Sequence, residues 1–302
     1  MNFSIDFSDA FPDLPLQKDA PFGALTTFRC GGTAAYMVSP RDASELSRVT
    51  AFLKAREIST FVLGRGSNIL VSDSGYPGVV ISMREHFQDI SFPEETILRA
   101  GSGALMPDAA RKALRHGLSG LEFASGIPGT IGGGLRMNAG AYGSELKDIL
   151  LRAEVLLPDG TVREYTAGEL QLSYRHSIIP EIQGIVLSAD FRLEKGDPQR
   201  IREKMDDLNG RRREKQPLNL GSAGSTFKRP EGYFAGKLIE DSGLKGFRIG
   251  NAAVSEKHAG FVVNLGDAKS ADVYRVIRTV QETVLEKFGV RLEPEVILLG
   301  DF

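Results

Sequence analysis

The stretch from Leu121 to Gly143, LEFASGIPGTIGGGLRMNAGAYG, constrains this chain more than any other. It carries Gly126, Gly129, Gly132, Gly133, Gly134, Gly140 and Gly143, interleaved with Ile127, Pro128, Ile131 and Met137. A flexible linker would combine glycine with serine and polar fillers. Apolar residues punctuate these glycines instead, which predicts packed backbone with one face bare of side chains. Bare backbone lets a large phosphate-bearing ligand lie against N–H groups. Taken alone, an ordered Gly-rich bend between two elements accounts for the stretch equally well.

A chain of 302 residues is long enough for about two or three compact units. Its 34 glycines favour loop-rich α+β architecture, and a net charge of −2 gives no field for nucleic acid or a membrane surface. The single Cys30 excludes an internal disulfide framework and fits a reducing cytoplasm. The N-terminal MNFSIDFSDAFPDLPLQKDAPF has acids and prolines where a signal peptide needs basic and then apolar residues, and no apolar run reaches a membrane span. A cytoplasmic location is expected. The four histidines and one cysteine have no ligand spacing, so no metal site is expected.

Read in order, residues 1–22 form a capping arm, irregular or with one short helix. Strands are predicted at Thr26 to Cys30 and Ala35 to Val38, around Gly31-Gly32. A helix follows with Ser39 as N-cap and Pro40 at its first position, burying Leu46, Val49, Phe52 and Leu53. Strand-forming runs Phe61–Leu63 and Ile69–Val71 flank Gly64-Arg65-Gly66-Ser67-Asn68, and the turn Ser74–Gly78 marks a boundary. Beyond it, strands at Val79–Met83, Thr96–Ala100 and Gly184–Leu193 dominate. They are joined by a helix from Pro107 to His116 and a hairpin at Asp159-Gly160. Near Gly196-Asp197-Pro198 the texture becomes charged and helical over Gln199 to Lys215, marking a second boundary. A short helix near Phe234 to Glu240 comes next. An amphipathic helix follows, with Val273, Val276, Ile277, Val280, Val284 and Leu285 on one stripe and Gly289 at its end, and then a strand at Val296–Leu299. The expected division is 1–78, 79–197 and 198–302.

Gly64–Asn68 sits between two buried strands, where a tight turn exposes successive N–H groups. Ser67 and Asn68 add donors and Arg65 a charge, a concavity suited to pyrophosphate, although an ordinary strand connection explains the bare motif as well. Paired with Leu121–Gly143 it gives a second Gly-rich cradle. Neither follows G-x-G-x-x-G or a P-loop, so a dinucleotide held without a Rossmann fold is the working expectation.

Taken together, the motifs resemble the UDP-N-acetylenolpyruvoylglucosamine reductase family. The resemblance runs through Gly64–Asn68, Ser125-Gly126-Ile127-Pro128-Gly129-Thr130-Ile131-Gly132-Gly133 and Asn138-Ala139-Gly140-Ala141-Tyr142-Gly143. It continues through Tyr174-Arg175-His176-Ser177, Gly224-Ser225-Thr226-Phe227-Lys228, Ala235–Ile239, Lys257–Phe261 and Leu292–Val296, so it covers nearly the whole chain. It implies an α+β protein. Two subdomains, 1–78 and 79–197, would form an FAD-binding fold of the vanillyl-alcohol-oxidase type, and 198–302 a C-terminal α+β substrate-binding domain. It further implies non-covalent FAD, NADPH as hydride donor, and reduction of UDP-N-acetylglucosamine-enolpyruvate to UDP-N-acetylmuramate for peptidoglycan, with no obligate protein partner. Residues implied to contact FAD are Gly64, Arg65, Gly66, Ser67, Asn68, Ser125, Gly126, Pro128, Gly129, Thr130, Gly132, Gly133, Asn138 and Gly140.

Reducing an enolpyruvyl ether places hydride on the outer vinyl carbon and a proton on the inner one, through an enolate-like state whose charge spreads into the carboxylate. Such a site needs a fixed cation, a hydrogen-bonding partner and a proton donor. Arg175, Glu295 and Ser225 match the family's catalytic positions: Ser225 as proton donor, Arg175 and a protonated Glu295 on the carboxylate and enolate. Serine is a poor acid unaided, and Lys215 or Lys228 is the candidate relay. Tyr174, Lys215, Lys228 and Lys257 are the expected substrate contacts. Without the resemblance each has a plainer reading: a surface ion-pair partner for Arg175, a turn residue for Ser225, a solvated strand edge for Glu295, surface charge for the lysines. His176 and His258 read as hydrogen-bonded structural residues. The run Arg211–Arg213 reads as a solvated helix face, from which one member could reach an FAD phosphate. Arg229 stands where many relatives carry Asn, and the chain lacks the insertion of one branch between Arg175 and Gly224, so it resembles the shorter branch. The competing readings are a small-molecule FAD oxidase on the same fold, which often tethers FAD to a histidine that neither Gly64–Asn68 nor Gly126–Gly143 contains and needs no UDP-binding domain, and a non-enzymatic flavin sensor, which does not need Arg175, Ser225 and Glu295 together.

Overall fold

The structure, a computed structural model, describes residues 3–302; Met1 and Asn2, part of the expected arm, lie outside the described residues. The chain divides into two compact units made of alternating segments. The first takes the residues up to Gln17, then Tyr36–Arg65 and Gly78–Arg212; the second takes Lys18–Ala35, Gly66–Pro77 and Arg213–Phe302. The expected segments are contiguous, whereas segment 1–78 is shared between the units and 198–212 stays with the first. Long-range backbone pairing inside each unit, which local composition does not reveal, draws the lines.

In the first unit an antiparallel sheet runs Val162–Tyr165, Leu150–Leu156, Ile185–Arg192, Ile97–Gly101, Ile90–Glu94. The hairpin at Asp159-Gly160 forms as expected, with Gly160 at φ 86°. The helix Met106–Arg115 buries Met106, Ala109, Ala110 and Ala113 in one core with Leu98, Ala153, Val155 and Ala189 from the sheet. Asp190, buried on the central strand, accepts from Arg99 at 2.6 and 2.9 Å and from Arg152 at 2.8 Å. A second core joins Phe7, Phe11 and Leu14 of the arm to Leu46, Val49, Leu53, Val79 and Ile81. The arm's helix, Phe3–Ala10, thus earns its place through an aromatic cluster: the Phe7 and Phe11 rings lie 4.9 Å apart and both meet Phe52 edge-on.

The helix expected from Ser39-Pro40 starts later, at Ala43–Lys54. Asp42 caps it, its carboxylate accepting the Glu45 N–H at 2.8 Å. A carboxylate also matches the helix dipole, which a serine hydroxyl three residues earlier does not. The buried face is as read from the spacing.

In the second unit, an antiparallel sheet of Arg248–Ile249, Ala252–Val254 and Val262–Asn264 packs with the helix Ser270–Phe288. Val273, Val276, Ile277, Val280 and Val284 are buried, while Leu285 is 49% exposed at the stripe's edge. Gly289 ends the helix at φ 68°, its N–H bonded to the Leu285 carbonyl at 2.8 Å. The last strand, Ile297–Leu299, pairs in parallel with Ile69–Val71. The strand expected at Thr26–Cys30 is absent. A short helix, Phe22–Leu25, leads into irregular chain whose backbone is paired locally: Thr27 N–H with Gly66 O at 3.1 Å, and Phe28 O with the Asn264 side-chain amide at 2.9 Å. No helix among the described residues is long and apolar enough to cross a membrane.

Candidate active site

The first unit holds Gly64, Arg65, the Ser125–Gly133 run, Asn138, Gly140, Tyr174 and Arg175. The Gly-rich run is not an open loop: Ile131–Arg136 is a short helix with Thr130 as its N-cap. Its glycines serve close packing. A Cβ at Gly132 would lie 2.9 Å from Ser102 Cβ, and one at Gly134 2.9 Å from Met106 Sδ. The N–H groups of Ile131 and Gly132 donate to Ala104 O and Ser102 O at 2.9 Å each, so the donors expected to face a ligand here are already engaged. Gly133 is less crowded, a Cβ there meeting Thr130 Oγ1 at 3.4 Å. Gly64 is pressed on the same place, where a Cβ would sit 2.3 Å from Thr130 Oγ1. Against this cluster lies a residue the sequence did not flag. Ser102 is 2% exposed, and its hydroxyl has no hydrogen-bond partner among the described residues.

Asn138, fully buried at φ 42°, has its side chain wholly engaged by protein. Its amide donates to Glu145 Oε2 at 2.8 Å and Ser173 O at 3.0 Å, and its carbonyl accepts the Lys147 N–H at 3.0 Å. This side chain therefore organises two turns. One is the hairpin Gly140-Ala141/Ser144-Glu145, closed by Tyr142-Gly143 at φ 56° and 88°. The other is the tight turn in which Ser173 and His176 exchange backbone hydrogen bonds, leaving Tyr174 and Arg175 at the tip. Arg175 adopts φ 53°, and its guanidinium lies 5.2 Å from the centroid of the Tyr174 ring. Lys147 first, then Asn138 and Arg175, hold the Glu145 carboxyl below its ordinary value against the opposing effect of burial.

The second unit holds Gly66, Ser67, Asn68, Lys215, Ser225, Lys228, Lys257 and Glu295. Here the segments that carry Ser225 and Glu295 pair. The Glu295 N–H donates to Thr226 O at 2.8 Å, the Lys228 N–H to Glu293 O at 2.8 Å, and Phe227 pairs with Pro294. Two short antiparallel segments thus carry the expected proton donor and its acidic companion. Thr226 anchors the ladder: its hydroxyl accepts the Val262 N–H at 2.9 Å and its N–H donates to Gly260 O at 2.9 Å. His258 supports that loop by accepting the Gly260 N–H on Nδ1 at 3.1 Å, and burial pulls the imidazole below its ordinary value. Asn68 reaches the same ladder, its amide donating to Glu295 O at 3.0 Å while its own carbonyl accepts the Ile297 N–H. The N–H groups of Gly66, Ser67 and Asn68 donate to no described residue. Among the lysines, Lys228 lies 3.4 Å from Glu293 and Lys257 donates to Arg213 O at 2.6 Å, whereas Lys215 stands exposed at the end of Pro198–Lys215. Among the described residues no group of His, Cys, Asp and Glu is placed to hold a metal ion.

Residues 34–166 match the family described as FAD binding domain, which makes the chain a flavin-binding protein by class. Residues 216–299 match UDP-N-acetylenolpyruvoylglucosamine reductase, C-terminal domain. The chain is 51% identical to the UDP-N-acetylenolpyruvoylglucosamine reductase of Agathobacter rectalis over 98% of this chain and 97% of that one. It is 49% identical to that of Caldicellulosiruptor saccharolyticus over 94% and 92%. The crystal structure of the reductase from Thermus caldophilus superposes with a TM-score of 0.81 at 35% identity, covering 95% of this chain and 99% of that one. The chain belongs to the UDP-N-acetylenolpyruvoylglucosamine reductase family, and the α+β FAD-binding fold with its C-terminal domain is as the motifs implied.

Proposed function

We propose that this chain catalyses the FAD-dependent, NADPH-driven reduction of UDP-N-acetylglucosamine-enolpyruvate to UDP-N-acetylmuramate. It does so in the cytoplasm, on small-molecule substrates and without an obligate protein partner. By role, 1–78 and 79–197 hold the cofactor and 198–302 the substrate, a partition supported by the matches at 34–166 and 216–299. The observation that supports the reading is the ladder on which the Glu295 N–H meets the carbonyl of Thr226, the residue next to Ser225 in the chain.

FAD, when bound, supplies a hydride acceptor and donor. The N–H groups of Gly66, Ser67 and Asn68 would take its phosphates, with Arg65 for charge, and Gly64, Ser125, Gly126, Pro128, Gly129, Thr130, Gly132, Gly133 and Gly140 would shape its bed. Ser102 suits the same bed, because a buried hydroxyl without a partner carries a cost that a ligand acceptor removes. Ser225 delivers the proton to the inner vinyl carbon. Arg175 and protonated Glu295 stabilise charge on the substrate carboxylate, and Tyr174, Lys215, Lys228 and Lys257 hold the uridine diphosphate. Asn138 acts at one remove, holding the Arg175 turn. The test is incubation of the purified protein with UDP-N-acetylglucosamine-enolpyruvate and NADPH, following loss of NADPH absorbance and product mass. A yellow protein that consumes NADPH without forming UDP-N-acetylmuramate would overturn the proposal.

A further inference from the structure

The helix Pro198–Lys215 lies between the two matched regions, 34–166 and 216–299, and neither covers it. Its cations have different surroundings. Lys204 lies 3.6 Å from Glu122, and Arg211 pairs with Asp207 at 2.8 Å. Arg212 makes no hydrogen bond or ion pair with a described residue. It is also not on the solvated face: its Cδ would lie 3.1 Å from a Cβ at Gly126, and Asn209 Oδ1 2.5 Å from the same point. Asn209 donates to Ser125 Oγ at 3.1 Å, and the Tyr142 hydroxyl donates to Leu208 O at 3.1 Å, one turn before Arg212. Helix and Gly-rich bed are therefore fastened together around this side chain. Burial pulls the guanidinium below its ordinary value, and the Tyr142 hydroxyl is its electrostatic neighbour.

A guanidinium drawn out of water with no acid beside it destabilises the fold unless an anion joins it. The residues that crowd it, Ser125, Gly126 and Tyr142, all belong to the region matched as an FAD-binding domain. Oxidised FAD carries its permanent negative charge in the diphosphate, the isoalloxazine being neutral. Planar, two-pronged donation to phosphate oxygens is what a guanidinium does best. We propose that Arg212 is an FAD diphosphate-binding residue, the partner that a glycine at position 126 leaves room for. Asn209 and Tyr142 position it. This rests on the FAD reading above.

The test uses the full chain as parent, Arg212→Met and Arg212→Lys. Met keeps a stem over Gly126 without the charge. Each is stripped of flavin and titrated with FAD and with riboflavin, which has no phosphate, by flavin fluorescence at low and high salt. Loss of a charge-assisted hydrogen bond predicts FAD binding to Arg212→Met about 10–100-fold weaker than to the parent. Arg212→Lys should be intermediate, riboflavin binding unchanged, and the salt dependence of FAD binding smaller in Arg212→Met. Unchanged FAD affinity in Arg212→Met overturns the proposal, as does equal weakening toward FAD and riboflavin, which marks a packing role. A parent that binds neither flavin defeats the FAD reading itself. If Arg212→Met does not fold, Arg212→Lys decides the matter by the same ratio of FAD to riboflavin affinity.

Discussion

Asn138 and Ser173 are joined by a hydrogen bond of 3.0 Å from the buried amide of one to the carbonyl of the other. That bond fastens the turn whose tip carries Arg175. Asn138→Ala removes the amide and leaves the Lys147 N–H without its partner, while Glu145 Oε2 keeps Lys147 Nζ and Ser173 O keeps the His176 N–H. The expected cost is about 1–3 kcal/mol of unfolding free energy, measured in urea. FAD content should hold while turnover of the enolpyruvyl substrate falls. A variant that loses FAD at parental stability would instead make Asn138 a cofactor contact.

Gly64 and Thr130 set a second test. Gly64→Ala puts a methyl 2.3 Å from Thr130 Oγ1, so the hydroxyl must move and the helix Ile131–Arg136 loses its cap. A loss of about 1–3 kcal/mol in thermal or urea unfolding is expected. Thr130→Ala in the same chain should restore part of it. No recovery in the double variant would place the clash elsewhere.

Ser225 separates the two halves of the proposed reaction. Ser225→Ala should leave reduction by NADPH near the parental rate and slow reoxidation by the enolpyruvyl substrate ~10²–10⁴-fold in stopped flow. Ser225→Cys should recover some of that, and Glu295→Gln should be milder than Glu295→Ala. Equal slowing of both halves would make Ser225 a positioning residue.

His258 gives a pH dependence. Burial first, opposed by its own backbone hydrogen bonding and by Glu240 and aided by Lys245, holds the folded ring below the ordinary 6.5. The unfolded chain therefore takes up its proton at higher pH than the folded one. Stability present above pH 6.5 should decline as pH falls through that value, by at most roughly 1.4 kcal/mol per pH unit. Urea unfolding at a series of pH values should show a shallower decline for His258→Gln, and an identical slope would contradict the assignment.

Patterns that depend on near neighbours were legible in the sequence. The stripe from Val273 to Val284, the Asp159-Gly160 hairpin and the Pro107 helix start each follow from spacing or motif. What sequence could not yield depends on distant backbone. Gly132 looks the same whether its bare face meets a ligand or Ser102. Thr26–Cys30 has strand composition, yet its carbonyls and N–H groups are taken by Gly66, Ser222 and Asn264. Among three consecutive arginines only the structure shows that Arg211 has an acid and Arg212 has none. Ser102, a small residue in a small-residue run, gave no signal at all.

The parallel pairing of Ile69–Val71 with Ile297–Leu299 has a consequence for how the chain matures. The hydrogen-bonding edge of Ile69–Val71 waits for a partner that lies far along the chain, at Ile297–Leu299. Loops of that length close slowly, and an unpaired apolar strand is sticky while it waits. Ribosome-bound intermediates should therefore keep Ile69–Val71 open to proteases and chaperones until Ile297–Leu299 has emerged, and deletion of 297–302 should yield an aggregating polypeptide rather than a shortened enzyme.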